Sequence, residues 1–70
     1  QGALTDFNEV IKSHPKDARA WGMRATLFYN NGEERLGCIN LIRSAQLGSK
    51  ASLNFINQGF CSDFIKELNN

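Results

Sequence analysis

Large apolar residues recur in this chain at a fixed separation, and this recurrence restricts the possible folds more than any other feature. Trp21 and Leu53 are 32 residues apart, and Phe28 and Phe60 are also 32 residues apart. A period of about 34 residues that consists of two helices is the signature of a solenoid of helical hairpins. We therefore predict helical hairpins that lie side by side, with Trp21 and Phe7 in one shared interior.

Four breaks divide the chain into segments that each carry one apolar helical face. The breaks lie at residues 14–17, 30–32 and 48–49, with a weaker break at 59–62. The segments between them are about 10 to 15 residues long, which is usual for helices in small domains. No stretch alternates polar and apolar residues for more than about four positions, as a half-buried strand would. The prediction is an all-α fold of about five helices, with antiparallel neighbours joined by short turns.

Residues that favour helix ends stand at these breaks. Asp17 and Ser49 are suited to N-cap positions, because their side-chain oxygens accept hydrogen bonds from free backbone N–H groups. Gly32 and Gly48 are suited to helix C-termini, because glycine adopts the left-handed backbone conformation at little cost. Gly37 lies inside the third segment, where glycine costs up to about 1 kcal/mol relative to alanine. We therefore expect a neighbouring group to pass close to Gly37.

The length and charge of the chain exclude several classes of function. Its 70 residues suffice for one small domain, and eight Lys and Arg against seven Asp and Glu give a net charge of +1. This balance excludes binding to nucleic acid or to an anionic membrane that is driven by overall charge. No apolar run approaches the roughly 20 residues that span a bilayer, and no secretory signal is visible. The first residue is Gln1 rather than Met, which fits a piece of a longer protein.

The two cysteines, Cys38 and Cys61, do not form a recognisable metal or disulfide motif. They are 23 residues apart, and His14 is the single histidine that could join them as a metal ligand. A structural zinc site needs about four ligands, so no metal or other cofactor is expected. We expect two buried thiols in a reducing compartment, which favours the cytoplasm. A disulfide is the alternative, and it requires the two Cα atoms to lie within about 7 Å of each other.

Residues 3–32 combine residue types, spacings and breaks in a pattern typical of one repeat family. The pattern consists of Ala3, Phe7 and Pro15, followed by Trp21, Ala25, Phe28 and Gly32. It resembles the tetratricopeptide repeat, in which W-x-x-L-G-x-x-Y, A-x-x-x-F and a later Pro recur. Arg24 stands where the family has Leu, so we expect its stem to lie along the core and its charge to remain in water. Residues 44–49 are somewhat similar to the end of the related Sel1-like repeats.

The resemblance implies a single domain, residues 1–70, built as a right-handed superhelix of antiparallel helix hairpins. Residues 1–14 correspond to the second helix of a partial repeat, and residues 17–48 correspond to a full repeat. Residues 49–68 correspond to a degenerate repeat or a pair of capping helices, because Asn57 stands where the family has a small residue.

The resemblance also implies a function as a protein-protein interaction module. In this family the concave face, which the first helices line, holds an extended peptide or a helix of a partner. Mapped by position, the first helices of two successive repeats correspond to the second and fourth segments of this chain. The candidate contact residues on them are Arg19, Gly22, Met23, Thr26, Tyr29, Asn30, Asn54 and Gln58. The Lys and Asn residues with which some repeats of this kind bind a terminal carboxylate are absent from the matching positions, so that specificity is not expected.

The residues point away from enzymatic activity and leave one alternative role open. There is no Gly-rich phosphate loop, no acid pair and no Ser-His-Asp set in the sequence. The alternative is a self-associating or capping segment of a larger scaffold, because about three repeats are needed for a stable solenoid and the present ends leave apolar surface uncovered. The sequence therefore predicts a protein or peptide partner, or a second copy of the chain.

Overall fold

The computed structural model describes residues 2–69, with side chains for residues 4–68, and contains five α-helices. The helices are α1 (Gly2–Ser13), α2 (Ala18–Asn30), α3 (Glu34–Gln46), α4 (Lys50–Asn57) and α5 (Ser62–Asn69). The described residues contain no strand, so the prediction of an all-α fold with five helices is confirmed. The side chain of Ala3, one of the predicted apolar positions, lies outside the described part.

The predicted helix ends are found with the predicted chemistry. The Asp17 side chain accepts a hydrogen bond from the backbone N of Ala20 at 3.2 Å, at the start of α2. Ser49 accepts one from the backbone N of Ser52 at 3.1 Å, at the start of α4. Gly32 and Gly48, which follow α2 and α3, have φ angles of 81° and 111°. Both glycines thus adopt the left-handed conformation that ends a helix.

Helices α2 and α3 form an antiparallel hairpin, the most extensive helix pair in the described structure. Near the turn, the Tyr29 hydroxyl lies 3.0 Å from the Cys38 sulfur. At the far end of the hairpin, Ser44 Oγ donates a hydrogen bond of 2.6 Å to the backbone O of Ala18. Contacts therefore move backward along α2 as they move forward along α3, which is the antiparallel arrangement expected for a short connection.

Gly37 is buried where the Tyr29 ring crosses α3. A Cβ atom on Gly37 would lie 2.6 Å from Cδ2 of Tyr29, closer than Cβ atoms come to other heavy atoms in proteins. The expectation that a neighbour passes close to this glycine is confirmed. The absence of a side chain here therefore determines which turn of α3 faces Tyr29.

Arg24 connects α1, α2 and α3. Its Nε donates to Asn40 Oδ1 at 2.7 Å, and its Nη1 donates to Asn8 Oδ1 at 3.0 Å. Its guanidinium carbon also lies 4.8 Å from the centre of the Trp21 ring, a cation–π distance. Arg24 is half-buried, so its charge is held by two amide oxygens and a ring at the edge of the interior and keeps part of its contact with water. Burial lowers the pKa of this guanidinium.

Trp21 and Phe7 border the interior instead of filling it. Both side chains are half-buried. Trp21 Nε1 donates a hydrogen bond of 2.8 Å to the backbone O of Pro15, in the turn between α1 and α2. Among the described side chains of α1, Ile11 alone is buried. The contact of α1 with the rest of the fold thus consists of a narrow stripe of apolar surface and the hydrogen bond from Arg24 to Asn8.

Helices α4 and α5 lie one after the other along α3. Ser52 Oγ donates to Ser44 Oγ at 2.8 Å, near the C-terminal end of α3. Arg35 Nη1 donates to Glu67 Oε1 at 2.7 Å, near the N-terminal end of α3. Helices α4 and α5 make few contacts with each other. Helix α5 also makes few contacts with α3, and Phe64 and Ile65 attach it to the core.

The register of α4 differs from the one that the 32-residue separation indicates. Ser52 is buried and Ile56 is half-buried against the core, so these residues face α3. Leu53 and Phe60, which the separation pairs with Trp21 and Phe28, are 48% and 53% exposed. The hydrogen-bonded side chains of Ser44 and Ser52 are small, so α3 and α4 approach closely where they meet. Because Ser52 faces α3 in this arrangement, the neighbouring Leu53 points toward solvent.

The expectation of two free thiols is wrong, because Cys38 and Cys61 form a disulfide. Their Cα atoms are 5.7 Å apart, within the range that a disulfide requires. Both residues are buried, as predicted, and with Ala25 and Leu41 they form the core cluster. The disulfide therefore lies inside the core and joins α3 to the turn that precedes α5.

We expect Gly37→Ala to destabilise the protein by about 1–3 kcal/mol, the usual range for overpacking. In an open helix the same change would stabilise by up to about 1 kcal/mol, so the sign of the effect reports the contact with Tyr29. Urea unfolding followed by circular dichroism measures it. In a Tyr29→Ala background the ring is absent, and Gly37→Ala should no longer destabilise. An equal loss in both backgrounds would contradict the proposed contact.

Candidate functional site

A groove open to solvent lies between α2 and α4, with Leu41 of α3 at its base. We call it the α2–α4 groove. Its first half is lined mainly by Arg19, Gly22, Met23, Thr26, Ala51 and Phe55. Its second half is lined mainly by Ala25, Thr26, Tyr29, Asn30, Phe55 and Phe60. Because Thr26, Leu41 and Phe55 belong to both halves, the two form one continuous surface.

One face of α2 provides the first wall of the groove. This wall begins at Arg19 and continues with the residues four, seven and eleven positions later, a spacing that places them on one side of a helix. These residues are Met23, Thr26 and Asn30. All four residues are exposed. Ala25 lies on the adjacent face of α2, where it is buried against α3 and borders the base of the groove. The hairpin contact with α3 therefore presents this row of side chains to the groove.

Helix α4 provides the second wall through Ala51 and Phe55. These two residues are four positions apart, so they lie on one face of α4. Phe55 is 44% exposed, and Met23 on the opposite wall is 43% exposed. Single exposed apolar residues are common on protein surfaces, but these two line the same concavity. The centre of the groove is therefore apolar and accessible.

Small residues close one end of the groove and bring its walls together. A Cβ atom on Gly22 would lie 3.0 Å from Ser44 Oγ and 3.1 Å from Ser52 Oγ. The two serine side chains are hydrogen-bonded to each other, and Ser44 also donates to the backbone of Ala18. The absence of a side chain at Gly22 thus leaves room for a hydroxyl chain that connects α2, α3 and α4.

Aromatic residues form the other end of the groove. The Tyr29 and Phe60 rings lie 5.9 Å apart in an edge-to-face arrangement, and the Phe55 and Phe60 rings lie 5.2 Å apart. Tyr29 Oη donates to the backbone O of Phe60 at 3.0 Å, and it lies 3.0 Å and 3.3 Å from the sulfurs of Cys38 and Cys61. The disulfide is therefore directly behind this aromatic wall.

The charge of the groove is positive and comes from one residue. Arg19, in the first half, is the one charged residue among those that line the groove. The structure shows one ion pair within residues 2–69, between Arg35 and Glu67, so Arg19 has no acidic partner there. An exposed guanidinium without such a partner is free to bind a carboxylate.

Six of the eight predicted contact residues of the first helices line this groove. They are Arg19, Gly22, Met23, Thr26, Tyr29 and Asn30. Tyr29 contributes its ring, because its hydroxyl is occupied by the Phe60 carbonyl.

Asn54 and Gln58 are exposed and do not line either half of the groove. Because Ser52 and Ile56 of α4 face α3, the residues turned toward α2 are Ala51 and Phe55. Sequence reasoning missed Phe55 and Phe60 as groove residues. The signal that could have found Phe55 is its position outside the apolar stripe that packs on α3.

Neither a metal site nor a membrane-spanning helix is found in the described part of the chain. No group of three or more His, Cys, Asp or Glu side chains is placed to hold a metal ion within the described residues. No helix there is long and apolar enough to span a bilayer.

Disulfides persist in oxidising compartments and are rare in the cytosol. The cytoplasmic expectation therefore loses its basis, which was a pair of free thiols.

Comparison of the chain with protein-family models, with curated proteins and with solved structures finds no match. The α2–α4 groove is therefore interpreted from its own geometry and chemistry.

The environment of Tyr29 gives a prediction that absorbance can test. Burial and then the carboxylate of Glu34 raise the pKa of the Tyr29 phenol. Tyr29 is the single tyrosine of the chain, so a pH titration at 295 nm follows it directly. We expect a midpoint above the ordinary value of about 10. The native state retains this proton longer than the unfolded chain, so the contribution of Tyr29 to stability is lost as the pH rises above about 10.

Glu34→Gln should lower this midpoint, because it removes the negative charge beside the phenol. Glu33→Gln is the matched control, since Glu33 is not among the groups that act on Tyr29, and it should leave the midpoint unchanged. A native midpoint at or below that of free tyrosine would show that the phenol is not placed against the core.

Proposed function

We propose that this chain is a tetratricopeptide-like helical module that binds an extended peptide segment of a protein partner in the α2–α4 groove. The observation that carries the proposal is the concave apolar surface between two helices that are first helices in the tetratricopeptide interpretation. The antiparallel α2–α3 hairpin, with α1 against α2 and α4 against α3, also supports this interpretation. The right-handed superhelix and the absence of enzymatic activity stay predictions.

The chemistry of the groove defines the kind of peptide that fits it. Met23 and Phe55 offer apolar surface to a large aliphatic or aromatic side chain, and methionine adapts its shape to what it contacts. Arg19 at one end favours a carboxylate, and Asn30 at the other end offers an amide to the peptide backbone. We therefore propose a partner segment with a large apolar residue and an acidic residue on the Arg19 side.

A second candidate function is self-association through other apolar surfaces. Leu36 and Ile39 lie three positions apart on α3, and they are 41% and 48% exposed. Val10 on α1 is 37% exposed. A second copy of the chain could cover these residues, which lie outside the groove. This candidate corresponds to a structural segment of a larger scaffold.

Peptide display tests the first candidate. Random twelve-residue peptides are selected on the immobilised, oxidised protein, and the selected sequences should pair an acidic residue with a large apolar one. Phe55→Ala should weaken the best of these peptides by about tenfold or more, the effect of a buried aromatic contact. Leu53→Ala is the matched control, because Leu53 is similarly exposed on α4 but lies outside the groove. Equal affinities of the two variants would contradict the proposal.

Arg19→Gln should weaken acidic peptides and leave neutral peptides unaffected, because it removes charge alone. Lys12→Gln, an exposed position in the last turn of α1, is its charge-matched control.

Light scattering tests the second candidate function, self-association. A dimer mass that Ile39→Glu reduces to the mass of the monomer would support self-association. A monomer at high protein concentration would exclude it and leave peptide binding unaffected.

A further inference from the structure

The disulfide is attached to the groove through a short turn. Cys61 directly follows Phe60, and both lie between the end of α4 at Asn57 and the start of α5 at Ser62. Gly59 has a φ of 96°, which permits the tight reversal that presents Phe60 toward Tyr29. The bond from Cys61 to Cys38 therefore determines where the Phe60 ring stands relative to α3.

The Tyr29 side chain contacts both the disulfide and the groove. Its hydroxyl is within hydrogen-bond distance of both sulfurs and donates to the Phe60 carbonyl. Its ring packs on Phe60 and lines the groove. One side chain thus contacts the disulfide on one side and the candidate binding surface on the other.

The remaining contacts of residues 58–69 with α3 are weak. The Arg35–Glu67 ion pair is exposed, with side-chain exposures of 73% and 57%, and exposed pairs contribute little. Phe64 and Ile65 are half-buried against the core cluster. Helix α5 has eight residues, and helices this short are marginal without tertiary support. The disulfide is therefore the main restraint on this segment.

We infer that the Cys38–Cys61 disulfide controls the binding affinity of the α2–α4 groove, so that the oxidised protein binds peptide and the reduced protein binds it weakly. This inference rests on the peptide-binding function proposed above. Reduction frees the turn that carries Phe60, and the aromatic wall of the groove then loses its fixed position. The α2–α3 hairpin, which contains the opposite wall, stays folded.

The reaction is thiol–disulfide exchange with a dithiol reductant. A thiolate of the reductant attacks one sulfur of the pair and the Cys38–Cys61 bond breaks, which gives a mixed disulfide and one free cysteine. The second thiol of the reductant then displaces the other cysteine. Two electrons and two protons pass to the protein, and the reductant leaves as a disulfide. Cys38 and Cys61 are 3% and 1% exposed, so attack requires local opening of residues 58–69.

The test compares the oxidised protein, the protein reduced with dithiothreitol, and Cys38→Ala/Cys61→Ala. The probe is the twelve-residue peptide with the highest affinity for the oxidised protein, labelled with fluorescein and measured by anisotropy. If the competent arrangement of the groove falls to about a tenth of the population, the affinity falls about tenfold. We expect this loss on reduction, its reversal on reoxidation, and a weak affinity of the double variant that dithiothreitol does not change.

Amide hydrogen exchange of the same three samples separates the possible failures. We expect faster exchange of residues 58–69 on reduction, with α2 and α3 still protected. Equal peptide affinity of the oxidised and reduced proteins would overturn the inference and leave the proposed function standing. Loss of protection throughout α2 and α3 would also overturn it, because the disulfide would then support the whole fold. If the oxidised protein selects no peptide, the proposed function fails and the inference fails with it.

Discussion

The packing of the Tyr29 side chain between Gly37 and the Cys38–Cys61 disulfide joins the α2–α3 hairpin to the turn before α5, and the aromatic end of the groove depends on it. The ring can cross α3 because Gly37 has no side chain, and the hydroxyl reaches both sulfurs and the Phe60 carbonyl. Three parts of the chain meet there: the end of α2, the first turns of α3 and the turn between α4 and α5. A chain of 70 residues buries little apolar surface, so one such contact has a large influence.

The α2–α4 groove exists because two different contacts hold its ends. At one end, Gly22 leaves room for the hydrogen-bonded hydroxyls of Ser44 and Ser52. At the other end, Tyr29 and the disulfide position Phe60. Between these two contacts Phe55 and Met23 remain exposed, because the core below them is already filled by Ala25 and Leu41. The proposed binding surface is thus the groove, where apolar side chains remain outside the core.

The helices could be predicted from the sequence, whereas the groove could be predicted only in part. Asp17, Ser49, Gly32 and Gly48 act within a few residues of their own positions, so local chemistry sufficed to place the helix ends. The α2 side of the groove follows from helical spacing. The α4 side does not follow from spacing, since the rotation of α4 depends on buried serine hydroxyls, and serine is usually an exposed residue.

The disulfide could not be predicted from the sequence. Two cysteines at a separation of 23 residues carry no spacing signal, and only the register of α3 against the following turn brings them together. The partners of the Arg24 charge could not be predicted either, because the amides of Asn8 and Asn40 that bind it are distant in sequence.

Nuclear Overhauser effects from the Tyr29 ring test the central contact most directly. Tyr29 is the single tyrosine of the chain, so its ring protons can be assigned without ambiguity. The structure predicts cross-peaks from these protons to the Hα protons of Gly37 and to the ring protons of Phe60 in the oxidised protein. Cross-peaks to Gly37 without any to Phe60 would mean that residues 58–61 are not held against α2 and α3. The aromatic end of the groove would then be absent, which would contradict the central role of Tyr29 in positioning Phe60.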